Sequence, residues 1–442
     1  MITKFVSKEQ NQTTKFGGVV LLFFSVFMLG YFIPRNNFIE EIIFFGTAWI
    51  GLWLIHNKKN ISNIFVFGLL LRLSLLISTP LLSQDYIRFL WDGYLTYEGI
   101  NPLLFKPSEL FDLIKEGNFA AELAAELNRE LSHQESYSRY FPLQQWIFFI
   151  AALTKSKLGG IIVLRIIIIA FDIATYFILR EIFKRYTINK SKLCLYWLNP
   201  LVILEFTGNL HTEGVFICFL LISLLSLSKM EDLKGGFFLS LSFCSNILSA
   251  SFLPLLLLKG GRYRWFKLLI GFIPFSVITF SPFIKFDQLS KYFTYITQGL
   301  QTNTSKISLL TIFEWFEFKM FSNKELEFTY LLGYLFAGLI ILIIAWKYRY
   351  RNRKVLFTAF TLITSIILIL SPSIKPSLII IPLALSLCTN FSFPLVWSGL
   401  AVLYYVYFDY SIPIGLKNSI TLTSIAIVFV FFYKDLNLLF KR

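Results

Sequence analysis

Apolar runs of roughly 16–24 residues recur from one end of the chain to the other, and a helix needs about 20 to cross the hydrocarbon core of a bilayer. Only helices and closed barrels satisfy the backbone in lipid, and runs of this length point to helices. The remaining composition agrees: 56% of the 442 residues are hydrophobic and 50 are Phe, with a mean hydropathy of +0.66. A soluble domain of this length would not be so apolar. The fold class expected is therefore all-α and polytopic, with roughly 12 transmembrane helices. No small-residue cleavage site follows the first apolar run, which is expected to stay in the mature chain. The net charge of +15 does not signal nucleic acid, because Lys and Arg gather in short loops where membrane topology requires them. Cys194, Cys218, Cys244 and Cys388 lie scattered in apolar runs without metal spacing and read as small core residues.

Charge sets the expected topology. Lys4, Lys8 and Lys15 hold the N-terminus in the cytoplasm, and spans at about 16–33, 38–56 and 61–80 bring residue 81 to the non-cytoplasmic face. A long outer loop, 81–140, follows. Within it Phe119, Leu123, Leu127 and Leu131 recur every fourth residue among acids, as in an amphipathic helix on a surface or over a cavity. Residues 141–154 read as an interfacial or re-entrant helix, and 158–180 as the next span inward. The run 237–258 is interrupted at Asn246 and reads as two half-helices. The chain divides into an N-terminal hairpin (1–60), a membrane module (61–284), a second outer loop (285–327) and C-terminal spans (328–442), with both termini cytoplasmic.

This topology puts an unusual polar set on one face. Asp85, Arg88 and Asp92 fall at i, i+3 and i+7, sharing one side of a helix that starts directly after a span. Asn101, Arg139, Asn209, His211, Glu213, Glu314, Glu317 and Lys375 emerge on the same side. Ionisable residues at membrane edges are functional candidates by default. Asp85 is the candidate general base for a sugar hydroxyl, and Asp85 with Asp92 the candidate pair for a divalent cation such as Mg or Mn. Arg88 and Arg139 have the forked geometry that suits phosphate, although Arg88 also has the spacing for an ion pair with Asp85 or Asp92. Trp91 suits either a sugar face or the interfacial aromatic belt. Glu213 is a candidate to fix the tautomer of His211, provided that a turn intervenes between them.

Several chemistries are excluded. There is no His-x-x-x-His or Cys-x-x-Cys site, no phosphate-binding Gly-x-x-x-x-Gly-Lys-Ser/Thr loop, no Gly-x-Ser-x-Gly elbow and no αβ alternation to hold a nucleotide sugar. A transporter or flippase of a lipid-linked substrate is the alternative class. Such proteins keep acids near the bilayer midplane on broken helices in paired repeats, whereas these acids share one face and no repeat is visible. A non-catalytic membrane partner is a third reading.

The stretch Asp85-Tyr86-Ile87-Arg88-Phe89-Leu90-Trp91-Asp92-Gly93, then Gly99-Ile100-Asn101-Pro102, resembles the D-x-x-R-Y-x-W-D-G…G-x-N-P-Y signature of GT-C glycosyltransferases, in their polyprenyl-phosphate mannosyltransferase-like branches. Phe141-Pro142-Leu143-Gln144-Gln145 is similar to their Y-P-P-x-x-Q segment. Asn199-Pro200-Leu201 through Glu205, with Gly208-Asn209-Leu210-His211-Thr212-Glu213, is similar to N-P-L-x-x-x-E…G-N-x-H-x-[DE]. The matches keep the family's order over about 61–258. The resemblance implies an inverting membrane glycosyltransferase that moves a mannose-like hexose from a polyprenyl-phosphate sugar to a glycan or lipid acceptor. It implies work at the periplasmic or luminal face, with Asp85 as base or metal ligand; the high Phe, Ile, Lys and Asn content points to an AT-rich bacterial genome, and so to the periplasmic face of an inner membrane. The candidate substrate contacts are Arg88, Trp91, Asp92, Asn101, Arg139, Gln144, Asn209, His211, Glu213 and Lys375; Arg139 and Lys375 stand outside the matched motifs and enter on their charge at the outer face. The chain departs from the family at Lys375-Pro376-Ser377-Leu378, at Asn246, and at Leu103 after Asn101-Pro102.

Overall fold

A computed structural model describes residues 2–56, 63–110, 121–132, 134–259, 261–284, 326–349, 355–371 and 374–440. Most of the expected second outer loop, with Glu314 and Glu317, lies outside these residues, as do Phe119 and the basic run 350–354. Every regular element among the described residues is helical. Five helices are long and apolar enough to cross a membrane: Thr14–Tyr31, Phe38–His56, Lys157–Arg185, Tyr263–Phe280 and Ile414–Leu438. Pro200–Gly208 with Glu213–Ser228 makes a sixth if taken as one broken span, and six shorter apolar helices of 10–17 residues accompany them. The chain is an all-α polytopic membrane protein. All four cysteines are buried and unbridged.

The chain forms two compact units, each discontinuous in sequence: 1–83, 179–211 and 375–442 in the first, 84–178 and 212–374 in the second. In the first unit, α1 (Ile2–Tyr31) and α2 (Phe38–His56) pack as a hairpin. A Cβ on Gly18 would sit 2.9 Å from the Gly51 carbonyl, and one on Gly51 2.7 Å from that of Gly18. Small residues facing each other in this way let membrane helices approach closely, which is how they gain packing where lipid supplies no hydrophobic drive. The span expected over 61–80 is cut short. Only Ile64–Leu73, α3, is helical, about 15 Å at 1.5 Å per residue. Beyond it the backbone tightens into i→i−3 bonds, Leu75 to Arg72 and Leu76 to Leu73, and the Ser74 and Ser78 hydroxyls donate back to the carbonyls of Leu71 and Leu75. Arg72, fully buried in α3, donates from Nη1 to the carbonyls of Gly68 and Trp197, both at 2.9 Å, and lies 3.7 Å from the Trp197 ring centroid. That cation–π stack gives the buried charge its company.

The second unit is built around α4 (Asp85–Tyr97), with α5 (Ala121–Glu130) and α6 (Pro142–Ala152) packed against it. Helix α6 has 11 residues, too few to span a bilayer. Helix α5 lies in the stretch expected to be amphipathic. Ala124 and Leu127 turn inward to protein, while Lys157 pairs with Glu130 at 2.5 Å and Glu126 at 3.4 Å on the outer side. The helix Asp232–Ser245 stops at Asn246, whose side chain accepts from the Leu248 N–H and starts the next helical turn. This is the expected interruption.

The contact of α4 with α6 depends on Gly93, where a Cβ would collide with the Phe148 carbonyl. Phe89 stacks on Phe148 at 4.8 Å, and Tyr140 meets both edge-on. Gly93→Ala is therefore expected to force these helices apart, destabilising the protein by about 2 kcal/mol, as overpacking in a tight core does. A lower unfolding midpoint in detergent is the readout. An unchanged midpoint would show that α6 yields freely.

Candidate functional site

Asp85 is the first residue of α4 and is half-buried. A carboxylate there is favoured by the positive end of the helix dipole, which explains why the helix can open on an acid straight after an apolar segment. One turn on, Arg88 donates from Nε to Asp92 Oδ1 at 2.7 Å and from Nη1 to the Ser136 carbonyl at 3.0 Å. Its Nη2 is buried with no hydrogen-bond partner among the described residues. Of the two readings open for Arg88, the ion pair is thus formed, and formed with Asp92, with one donor of the fork left over. Asp92 is fully buried. Its Oδ2 also accepts from the Ser138 hydroxyl and from Gln145 Nε2 at 3.1 Å.

Those bonds decide what Asp92 can do. Three protein donors already take most of the acceptor capacity of this carboxylate, two on Oδ2 and Arg88 on Oδ1, and they compete with any divalent cation for it. Among the described residues no three His, Cys, Asp or Glu side chains gather as a metal-binding group. With Arg88, Ser138 and Gln145 on its oxygens, Asp92 does not fit the part of a metal ligand.

Other expected site residues also hold the frame. Trp91 is fully buried, so its ring is part of the interior. Asn101 donates to the Phe283 carbonyl at 2.7 Å and accepts from the Leu103 N–H, fixing the turn after α4. Gln144 accepts from the Phe141 N–H, satisfying the N-cap backbone of α6, and donates to the Thr212 hydroxyl at 2.5 Å. Arg139 and Glu213 remain half-buried, as Asp85 does.

The half-buried groups meet electrostatically at Tyr140. Burial pushes its phenol well above the ordinary tyrosine value. The charge of Asp85 adds to the rise, Arg139 opposes it, and Asp92 and Glu213 add smaller increments. Tyr140 carries a proton throughout the physiological range and stands as a neutral donor among carboxylates. Its place beside Arg139 is the only signal the sequence carried for it.

In the first unit a second cluster centres on Glu205. The segment Ile203–Gly208 is a π-helical turn, a local widening common at functional sites. Leu210 follows in the left-handed region at φ 63°. That turn folds the chain back, so that the His211 N–H reaches the Glu205 carbonyl and His211 Nδ1 lies 2.7 Å from Glu205 Oε2. A carboxylate only accepts, so Nδ1 carries the proton and Nε2 faces Ser83 Oγ at 3.3 Å. Glu205 therefore fixes the tautomer expected to be set by Glu213, because the reversal at Leu210 points the ring backwards along the chain. Asn209 donates to Glu205 Oε1 at 3.3 Å and to the Tyr405 hydroxyl at 3.2 Å, and Tyr405 donates to Glu205 Oε1. Glu205 and Asn209 are buried, and His211 is 9% exposed. Lys375 is half-buried at the N-cap of the helix Pro376–Ser386.

Glu205 is the acid of the N-P-L-x-x-x-E match but not one of the expected substrate contacts, and Tyr405 is in neither set. Besides the motif, an acid inside the apolar run 200–206 marks Glu205. Nothing distinguishes Tyr405 within the apolar stretch 401–408.

No curated protein sequence matches the chain. A family model described as the N-terminal domain of alpha-(1->6)-mannopyranosyltransferases, the MptA_B family, matches residues 17–259, more than half of the chain and all the motif residues from Asp85 to Glu213. The chain belongs to this alpha-(1->6)-mannopyranosyltransferase family, and is a membrane glycosyltransferase of the mannosyl-transfer class.

Proposed function

We propose that the protein transfers mannose from a polyprenyl-phosphate donor to a hydroxyl of a glycan or lipid acceptor, at the periplasmic face of a bacterial inner membrane, with both termini in the cytoplasm. The acceptor oxygen attacks the anomeric carbon as the bond from that carbon to the phosphate oxygen breaks. The hydroxyl proton passes to Asp85, and the polyprenyl phosphate leaves with the electron pair. A single displacement of this kind inverts the anomeric carbon. Arg139 and the remaining guanidinium nitrogen of Arg88 are the phosphate partners in the second unit. In the first unit His211 and Lys375 are assigned to donor recognition. Asp92, Asn101, Gln144 and Asn209 act by holding these groups in place.

The observation that carries this reading is the division of labour on α4: its second acid, Asp92, is buried and held by Arg88, Ser138 and Gln145. It leaves Asp85 as the half-buried acid of α4. The test is transfer by purified protein from polyprenyl-phosphate mannose, with GDP-mannose as the competing donor. Product from the lipid donor alone is the expected result. Transfer from the nucleotide sugar alone would overturn the donor assignment.

A further inference from the structure

Helix α2 carries an acid that none of the chemistry above uses. Glu41 is 1% exposed in the first turn of α2, and both of its carboxylate oxygens are buried without a hydrogen-bond partner among the described residues. A buried carboxyl left without partners costs several kcal/mol, so the position asks for an explanation in terms of what stands beside it. Beside it is a cavity with about 10 Å³ of room for the centre of a water molecule, whose wall includes Glu41, Glu205 and Tyr405. The rest of the lining is apolar and includes Leu29, Phe45 and Leu82. That room suits one water, and a buried water needs two to four polar partners. Glu41, Tyr405 and Glu205 are the wall residues that can supply them.

We propose that this cavity holds one water molecule through which Glu41 acts as a positioning residue for His211. The water donates to the Glu41 carboxyl and to the Tyr405–Glu205 pair, and the chain of hydrogen bonds continues from Glu205 Oε2 to His211 Nδ1 and from Nε2 to Ser83. Ser83 is two residues before Asp85 in the sequence. The other charged groups acting on Glu41 are Asp409 and Arg35. Asp409 is held by the Phe38 N–H and by Ser411, and Arg35 lies over the Phe408 ring. Neither closes the gap to Glu205; the water does.

This rests on the assignment of His211 to donor recognition, so the test reads His211 directly rather than transfer. The chain has three histidines, and nitrogen-15 labelling of histidine, with His56→Gln and His133→Gln for assignment, isolates the His211 ring signals. Glu41→Gln keeps a hydrogen-bonding group of the same shape, and Glu41→Leu removes it while packing well in the cavity. The expected result is that Glu41→Gln leaves the His211 titration midpoint in place and Glu41→Leu moves it by about half a pH unit or more, although the unfolding temperature of Glu41→Leu does not fall. Equal movement in both variants would show that Glu41 acts as a charge, and no movement in either would show no coupling. Each of those outcomes overturns the proposal, whether or not the purified protein transfers mannose.

Discussion

Asp85→Asn is expected to lower the rate of mannosyl transfer by about 10²–10⁴-fold, the usual contribution of a positioned general base. Asn has the size of Asp and can still accept a hydrogen bond at the helix start, so the fold should survive. What it cannot do is take the proton from the attacking hydroxyl. The loss should fall on kcat with KM for the lipid donor little changed, because the base acts in the transition state and not in binding. Asp92→Asn makes the contrasting case. It places an amide where Oδ1 and Oδ2 now accept from Arg88, Ser138 and Gln145, so its first effect should be on stability, with the unfolding midpoint falling before the rate does. Single-turnover transfer and thermal unfolding, measured on both variants, separate the two acids. If Asp85→Asn transfers mannose at the wild-type rate, Asp85 is not the base.

The two acids also show where a sequence is readable and where it is not. The i, i+3, i+7 spacing of Asp85, Arg88 and Asp92 is a property of one helix, and α4 realises it. The same spacing left the partner of Arg88 open, because Asp85 and Asp92 are both within reach of it along a helix face. What decides in favour of Asp92 is Ser138 and Gln145, which arrive from a segment some 50 residues away. The interruption at Asn246 was legible because a residue that bonds its own backbone sits among small residues in an apolar run. The early end of α3 was not: its run through residue 77 is as apolar as a full span, and only the backward bonds of Ser74 and Ser78 expose the change. The Glu205 cluster lay furthest from view. Its Tyr405 donor is 200 residues away, and its His211 donor depends on a left-handed Leu210 that no local preference for this residue would suggest.

Glu205→Ala is the second change with a large expected effect, and here stability is the quantity. Glu205 accepts from His211 Nδ1, from Asn209 Nδ2 and from the Tyr405 hydroxyl, in a cluster that is almost wholly buried. Removing the carboxylate strands three donors at once, and the loss of one member of a buried charged network costs about 3–5 kcal/mol. Glu205→Gln should cost less, since one acceptor oxygen remains, yet it must turn an amide N–H₂ toward groups that are themselves donors. Tyr405→Phe should cost about 1 kcal/mol, the net worth of one ordinary hydrogen bond, because Glu205 keeps its other two donors. The order expected from unfolding in detergent is therefore Glu205→Ala below Glu205→Gln, and that below Tyr405→Phe. Because the groups form one network, the double variant Glu205→Ala with Tyr405→Phe should lose less than the sum of the two single losses: once the carboxylate is gone, the Tyr405 hydroxyl has lost its acceptor, and deleting it relieves a stranded donor. Strict additivity would mean that Tyr405 and Glu205 do not share a hydrogen bond in the working protein, and the route from the α2 cavity to His211 would then have to bypass Tyr405.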